Sequence, residues 1–295
     1  MKVLLAIDSS PFSDAAIDQV SSRRWPEETE ICVLSVVDVT RFGVIGTEGG
    51  QWTAALSEAA AESVKAAVNS LKSAGLEAQG RVTLGSPGGE ICQYARDWGA
   101  DFIFVGSHGR GGLTRLLLGS VSRAVIHRAP CSVVVARPQP AHVTDSTKTE
   151  TTGPSVLIAT DGSECSLMAV RSVAQRKWPE GLKISVISVG EMPDDLVNPD
   201  RIDPHAIDHM REAANAGALQ AATAANGILS GSGFQAATKV RIGDPRSVIL
   251  DEADALKADL VVLGSHGRRG LDRILLGSVS EAVAAGAHCS VEIIR

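Results

Sequence analysis

The segment ADFIFVGSHGRGGLTRLLLGSVS at residues 100–122 is matched by ADLVVLGSHGRRGLDRILLGSVS at residues 258–280. In each copy an apolar run leads directly into the tetrapeptide GSHG, and a nine-residue spacer separates GSHG from a second tetrapeptide, GSVS. A short apolar run of this kind is typical of a strand that is buried on both faces of a parallel sheet. The segment therefore predicts a buried strand, a glycine-containing loop and the start of a further element, twice in one chain.

The repetition extends over nearly the whole chain of 295 residues. VLLAIDSS at residues 3–10 matches VLIATDGS at residues 156–163, and LGSPGGEI at residues 84–91 matches IGDPRSVI at residues 242–249. A period of roughly 155 residues is the size of a domain, so the chain is a tandem duplication. We predict two domains, residues 1–138 and 155–295, joined by a polar linker at residues 139–154.

Strand-like and helix-like segments alternate within each copy. In the first copy we predict strands at residues 3–7, 31–37, 78–84, 101–105 and 132–136, and helices at residues 14–24 (with Ser13 as N-cap), 54–73, 89–98 and from the GSVS segment to about residue 127. This alternation indicates a parallel sheet with helices on both faces. The predicted class is α/β, two repeats of a doubly wound, five-stranded, Rossmann-like domain. Ligands bind such sheets beyond the carboxyl ends of the strands, where Asp8 and Gly106 lie.

Composition excludes several classes of function. A hydrophobic content of 44% and a charged content of 21% are typical of a globular protein. The net charge of -6 and the 3% aromatic content argue against nucleic acid as a partner. No apolar run approaches the ~20 residues that span a membrane, and the run at residues 3–7 is too short for a signal peptide. Five cysteines without CxxC spacing indicate reduced thiols and a cytoplasmic protein.

The glycine-framed segment has the chemistry of an anion site. Glycine at positions 106 and 109 would permit positive φ angles and let backbone N–H groups face an anion. Gly119-Ser120-Val121-Ser122 precedes another apolar run and should open a helix, whose free N–H groups and positive dipole end suit phosphate. The alternative is a plain turn, with Ser120 serving only as an N-cap. The segment is neither a Walker loop nor the GxGxxG dinucleotide fingerprint.

The spacing GxxG-x9-G[ST], its place after the fourth strand and the early aspartate together resemble the universal stress protein family, in its ATP-binding form. The resemblance covers both halves and implies an adenine nucleotide α-hydrolase-like fold with ATP, with or without Mg²⁺, as ligand. It implies that Asp8 and Asp161 contact the ribose or adenine side and that Val36 and Val189 meet the adenine through backbone groups. The remaining implied contacts, to ribose and phosphates, are Gly106, His108, Gly109, Gly119, Ser120, Val121 and Ser122 in the first half, and Gly264, His266, Gly267, Gly277, Ser278, Val279 and Ser280 in the second.

The same resemblance implies a nucleotide-dependent regulatory protein of the stress response, with at most slow ATP hydrolysis. It also implies that the two halves pair with each other through their last strands and that a homodimer can form.

We predict no catalytic residue and no protein metal ligand, because no carboxylate accompanies His108 or His266 in the local sequence. Arg110, Arg115, Arg268 and Arg273 either neutralise phosphate or are solvated. Differences between the halves, such as Arg123 against Glu281, suggest unequal affinities.

Two other functions stay open. One is an interaction module that has no nucleotide role. The other is an enzyme that cleaves ATP at its pyrophosphate. It is less favoured because the loops after the first strands, residues 8–14 and 161–166, do not contain the sequence SGGxDS, and because SHGR is not HIGH.

Overall fold

The computed structural model describes residues 1–40, 47–109, 118–138, 153–192, 204–267 and 276–295, with backbone only at 47–51 and 204. The chain divides into two compact units, residues 1–147 with 288–292 and residues 148–287 with 293–295. Most of the predicted linker, residues 139–152, lies outside the described residues.

The first repeat is an open parallel sheet with helical crossovers. Its elements are β1 (Lys2–Ile7), α1 (Pro11–Ser22), β2 (Glu30–Asp38), α2 (Thr47–Ser73), β3 (Ala78–Gly85), α3 (Pro87–Trp98), β4 (Phe102–Gly106), α4 (Ser120–Arg128) and β5 (Ser132–Ala136). The strands lie in the order β3-β2-β1-β4-β5, and the neighbouring strands pair in parallel. The chain crosses from β3 past β2 and β1 to reach β4, so the strand order reverses between β1 and β4.

The second repeat has the same order of elements. They are β6 (Ser155–Ala159), α5 (Glu164–Ala174), β7 (Lys183–Gly190), α6 (Pro204–Gly231), β8 (Ala236–Ile242), α7 (Pro245–Leu256), β9 (Leu260–Gly264), α8 (Ser278–Gly286) and β10 (Ser290–Ile294). The strands lie in the order β8-β7-β6-β9-β10, with the switch between β6 and β9. The predicted α/β class, with five strands in each repeat, is confirmed.

The core explains why the strands are continuous apolar runs in the sequence. In β1 every residue from Val3 to Ile7 is buried, because helices cover both faces of the sheet. On one face, α1 and α2 pack Val20 and Leu71 against Val3 and Phe104 of the sheet. The described helices include none long and apolar enough to cross a membrane.

The predicted start of α1 was wrong. The helix begins at Pro11 rather than at residue 14, and its N-cap is Ser10, whose hydroxyl accepts a hydrogen bond from the Ser13 N–H at 3.4 Å. Proline suits the first helical position because its fixed φ is helical and its missing N–H has no partner there. Ser13 lies inside the first turn and its hydroxyl contacts Asp8 instead.

The helix α3 also begins earlier than predicted, at Pro87 rather than at residue 89. The pair Gly88-Gly89 has low helix propensity, which concealed the start. A Cβ on Gly88 would lie 2.6 Å from Ala124 Cβ of α4, so this glycine permits close packing of the two helices. Tertiary packing overrides propensity at this position.

Two exposed glycines give a stability test of the backbone assignment. Gly227 lies inside α6 and Gly75 follows α2 with φ +80°, and neither would place a Cβ within 4 Å of another atom. We expect Gly227→Ala to raise the free energy of unfolding by about 0.5–1 kcal/mol, because alanine loses less backbone entropy in a helix. Gly75→Ala should lower it by about 1–2 kcal/mol, because L residues avoid the left-handed region. Urea unfolding of both variants measures this, and stabilisation by Gly75→Ala would contradict the assigned conformation.

Candidate functional site

The predicted site residues meet at one edge of each sheet. Ile7 pairs with Ser35, so Asp8, directly after β1, lies level with Val36 of β2. Ala6 pairs with Val105, which brings the end of β4 to the same edge. In the second half Ala159 pairs with both Ile187 and Leu263, and Asp161, Val189 and Gly264 follow at the matching edge. The place is the carboxyl edge beside the point where the strand order reverses, where open α/β sheets bind ligands.

Serine hydroxyls and backbone N–H groups orient the two aspartates. Asp8 Oδ1 accepts hydrogen bonds from the Ser13 hydroxyl at 2.8 Å and from the Ser10 N–H at 3.2 Å. Asp161 Oδ1 accepts from the Ser163 hydroxyl at 2.6 Å and from the Ser163 N–H at 3.0 Å. Sequence reasoning missed these serines. A signal was present for the N–H groups of Ser10 and Ser163, since an Asp side chain often accepts a hydrogen bond from the backbone two residues on, but not for the Ser13 hydroxyl.

The second glycine of each GSHG tetrapeptide makes room for the aspartate. A Cβ on Gly109 would lie 2.5 Å from Asp8 Oδ2, and a Cβ on Gly267 would lie 2.6 Å from Asp161 Oδ2. Real Cβ contacts are longer than this, so any other residue would displace the carboxylate or the loop. The two halves therefore impose the same steric requirement at the same place.

The first glycine of each tetrapeptide makes room for a helix. A Cβ on Gly106 would lie 2.7 Å from Phe12 Cβ, and one on Gly264 would lie 2.7 Å from the Cys165 carbonyl carbon. Glycine at positions 106 and 109 would permit a positive φ angle, but neither residue has one. These glycines serve close approach of chain segments rather than an unusual backbone conformation.

The GSVS tetrapeptide is tied to the end of the preceding strand. In the first half the Gly119 N–H donates to the Ser107 carbonyl at 2.8 Å, and the Ser122 hydroxyl donates to the Gly106 carbonyl at 2.5 Å. These bonds hold the first turn of α4 against the carboxyl end of β4.

The same two bonds recur in the second half. The Gly277 N–H donates to the Ser265 carbonyl at 2.7 Å, and the Ser280 hydroxyl donates to the Gly264 carbonyl at 2.7 Å. The ties are therefore a property of the repeated sequence and not of one copy.

The starts of α4 and α8 do not agree with the interpretation of Ser120 as an N-cap. Gly119 and Gly277 are the N-caps, and Ser120 and Ser278 are the first helical residues, so Ser120 is not an N-cap. Both of these serines are exposed. The first N–H groups of a helix have no intrahelical acceptor, and together with the helix dipole they favour an anion.

The hydroxyls of Ser122 and Ser280, two residues that we expect to contact phosphate, are hydrogen-bonded within the protein. Their side chains are buried, and each donates its one hydroxyl proton to a backbone carbonyl. They position the helix terminus. Val121 and Val279, between the exposed and the buried serine, are half-buried.

The two histidines have unlike surroundings. His108 is buried, packs against the Phe12 ring at a centroid distance of 5.0 Å, and its Nε2 has no hydrogen-bond partner among the described residues. Burial and the positive charge of Arg137 lower the pKa of His108 below its ordinary value. His266 is only half-buried, with Nδ1 at 3.0 Å from Ser265 Oγ. The local sequence is identical in both copies and does not indicate this difference.

Several predicted charges cannot be placed. Residues 110–117 and 268–275, which include Arg110, Arg115, Arg268 and Arg273, lie outside the described residues. Within the described ranges there is no group of three or more His, Cys, Asp or Glu residues that could hold a metal ion.

Comparison with known protein families gives a match to both repeats. The Universal stress protein family matches residues 1–137 and 154–295, which is nearly the whole chain. The chain belongs to the universal stress protein family. A universal stress protein of Mycolicibacterium smegmatis is 28% identical over 306 residues, covering 99% of this chain and 96% of that protein. One of Mycobacterium tuberculosis is 32% identical over 203 residues, covering 66% of this chain and 62% of that protein.

Solved structures of the family share the fold. A universal stress protein from Archaeoglobus fulgidus aligns over 100% of this chain and 98% of its own, with a TM-score of 0.67 and 21% identity. At that identity the likeness concerns the fold, and it extends over both repeats.

The ties at the helix start can be tested by a matched pair of serines. We expect Ser122→Ala to lower the free energy of unfolding by about 1–2 kcal/mol, because a buried carbonyl loses its donor. Ser120→Ala, at an exposed hydroxyl two residues away, should change it by less than about 0.5 kcal/mol. Urea unfolding compares the two variants, and equal effects would show that the Ser122 bond contributes nothing.

The environment of His108 predicts a pH dependence of stability. Its pKa is lowered in the folded protein, so the unfolded state binds the proton more readily. The corresponding stability is present above the ordinary histidine pKa of about 6.5 and is lost as the pH falls through the folded value. Between about pH 8 and about pH 5.5, the wild type should lose more stability than His108→Gln in chemical denaturation. If the free energy of unfolding depended on pH in the same way for the wild type and for His108→Gln, this prediction would be contradicted.

Proposed function

We propose that each half of the chain binds an adenine nucleotide at its carboxyl sheet edge, and that the protein is a nucleotide-dependent regulator of the stress response. The ligand we propose is ATP, with or without Mg²⁺, and hydrolysis would be at most slow. The observation that carries the proposal is the pair of ties from GSVS to the strand end, present in both halves. They hold a helix N-terminus beside the aspartate that follows the first strand.

The phosphate side of the proposed site is the start of α4 and of α8. Its donors would be the backbone N–H groups of residues 120–122 and 278–280 and the exposed hydroxyls of Ser120 and Ser278. The hydroxyls of Ser122 and Ser280, unlike their backbone N–H groups, would act indirectly, by holding the helix terminus in place.

The sugar and base side would be formed by residues on the neighbouring strands. Asp8 and Asp161 present carboxylates whose orientation is set by hydrogen bonds from serine. A carboxylate accepts hydrogen bonds from hydroxyl groups, which suits a ribose. Val36 and Val189, level with these aspartates, would offer backbone groups to the adenine. Gly109 and Gly267 would let the loop run close beside the carboxylates.

Two alternative functions compete with this proposal. An interaction module without nucleotide would not need, in both halves, an oriented carboxylate and a helix N-terminus that lacks a side-chain cap among the described residues. An enzyme that cleaves ATP at its pyrophosphate would need the SGGxDS, HIGH or KMSKS signatures that the sequence lacks. The division into residues 1–138, 139–154 and 155–295, the pairing of the two halves, a homodimer and a cytoplasmic location are further parts of the proposal.

Calorimetric titration with ATP and Mg²⁺ tests the proposal. We expect about two nucleotides per chain for the wild type, about one for Gly109→Val or Gly267→Val, and none for the double variant, because a side chain at either position meets the carboxylate. The matched control is Gly227→Ala, where a Cβ meets nothing within 4 Å, and its binding should equal that of the wild type.

Each outcome distinguishes a different failure. Undiminished binding by the double variant, with circular dichroism showing a folded protein, would overturn the placement of the site. Absence of binding by the wild type would favour the interaction module.

A further inference from the structure

A thiol, a hydroxyl and an imidazole form a chain in the second half, and only the imidazole, His266, is also an expected nucleotide contact. Cys165 lies in the first turn of α5, directly after Glu164, and is partly exposed. Its Sγ is 3.7 Å from Ser265 Oγ, and Ser265 Oγ is 3.0 Å from His266 Nδ1. The three side chains come from two separate segments of the chain, the start of α5 and the loop after β9.

The hydroxyl in the middle of this chain is held in place by its own backbone. Ser265 is fully buried, its N–H donates to the Ile294 carbonyl at 2.8 Å, and its carbonyl accepts from the Gly277 N–H at 2.7 Å. Burial and these two backbone bonds together leave the Ser265 side chain little room to move. The contact from thiol to imidazole is therefore a built arrangement and not a chance approach of mobile groups.

The arrangement can move a proton away from the thiol. The thiolate is the reactive form of cysteine. The thiol can donate to Ser265 Oγ while the Ser265 hydroxyl donates to His266 Nδ1. The serine passes its own proton to the imidazole and receives the proton of Cys165 in its place. The positive end of the α5 dipole favours the negative charge left on sulfur.

The first half shows what the same scaffold looks like without the thiol. Ser107 Oγ lies 3.3 Å from His108 Nδ1, which corresponds to the pair in the second half. The position that matches Cys165 is Phe12, whose ring packs on His108. The first half therefore retains the serine and the histidine but covers the histidine with an aromatic ring.

The other cysteines have less access or a different setting. Cys32, Cys92 and Cys289 are buried, and Cys131 is partly exposed like Cys165. Cys131 is not part of the Ser265–His266 chain, which makes it an internal reference of similar exposure.

We propose that Cys165 is the peroxide-reactive thiol of this protein, activated through Ser265 by His266. The thiolate sulfur attacks one oxygen of a hydroperoxide, the S–O bond forms as the O–O bond breaks, and the leaving hydroxide or alkoxide takes the proton held by the imidazole. Sulfur is oxidised by two electrons to a sulfenic acid and the peroxide is reduced to water or alcohol. Small thiols return the sulfenic acid to the thiol.

Labelling of the full-length protein tests the reactivity of the thiol, without nucleotide, so that the outcome is separate from that of nucleotide binding. Iodoacetamide is added for graded times and each cysteine peptide is quantified by mass spectrometry. We expect Cys165 to react at least about ten-fold faster than Cys131, and Ser265→Ala or His266→Gln to slow Cys165 at least about five-fold. Ser107→Ala, the matched change in the first half, should leave the rate of Cys165 unchanged.

Hydrogen peroxide gives the chemical readout. We expect one oxygen atom to be added at Cys165 before any other cysteine, and dithiothreitol to remove it. Equal labelling of Cys165 and Cys131, or a Cys165 rate that is unaffected in both relay variants, would overturn the proposal.

A gain of function covers the case in which Ser265→Ala does not fold. Phe12→Cys, made together with Cys165→Ser, places a thiol beside Ser107 and His108 at the matching position of the first half. We expect this new thiol to react faster than Cys131. A rate no faster than that of Cys131 in a folded variant would show that a neighbouring serine–histidine pair does not activate a thiol in this fold.

Discussion

The site in each half depends on a few hydrogen bonds that join two tetrapeptides. The Gly119 N–H and the Ser122 hydroxyl donate to the carbonyls of Ser107 and Gly106, and so the start of α4 is held against the end of β4. These bonds fix the helix terminus at the sheet edge where Asp8 lies. Their recurrence at Gly277 and Ser280 indicates that the tetrapeptides are retained as a pair.

A second constraint is space. The glycines that frame GSHG are there because other atoms occupy the place of a Cβ, namely α1 or α5 at the first glycine and the aspartate at the second. The backbone is unstrained at these positions, whereas the residue after the aspartate is left-handed in both halves, at φ 61° for Ser9 and 78° for Gly162. Serine tolerates this conformation less well than glycine, so the first half carries a local strain that the second half avoids.

The two halves therefore share a scaffold but differ in the chemistry placed on it. The first half has Phe12, whose ring packs on the buried His108. At the matching position the second half has Cys165, whose thiol contacts Ser265, and Ser265 in turn contacts the half-buried His266. The first half has Arg123 where the second half has Glu281, so the helix that would hold phosphate carries opposite charges near its start in the two halves. A duplicated fold can keep its geometry through backbone hydrogen bonds while a few side chains diverge, because those bonds do not depend on the diverging residues.

The sequence by itself determined the fold class, the repeat and the edge of the sheet at which the candidate residues meet, because hydrophobic periodicity and repeated spacing are local properties. The sequence predicted the start of α1 wrongly, since a proline at the first helical position resembles a helix break. It also left open a positive φ at the glycines of GSHG, which the structure does not show. Only the tertiary structure decided that Ser122 and Ser280 tie the helix to the strand, and that His108 is buried while His266 is not. Those facts depend on which distant segments come into contact, and identical tetrapeptides in the two halves acquire different surroundings from Phe12 and Cys165.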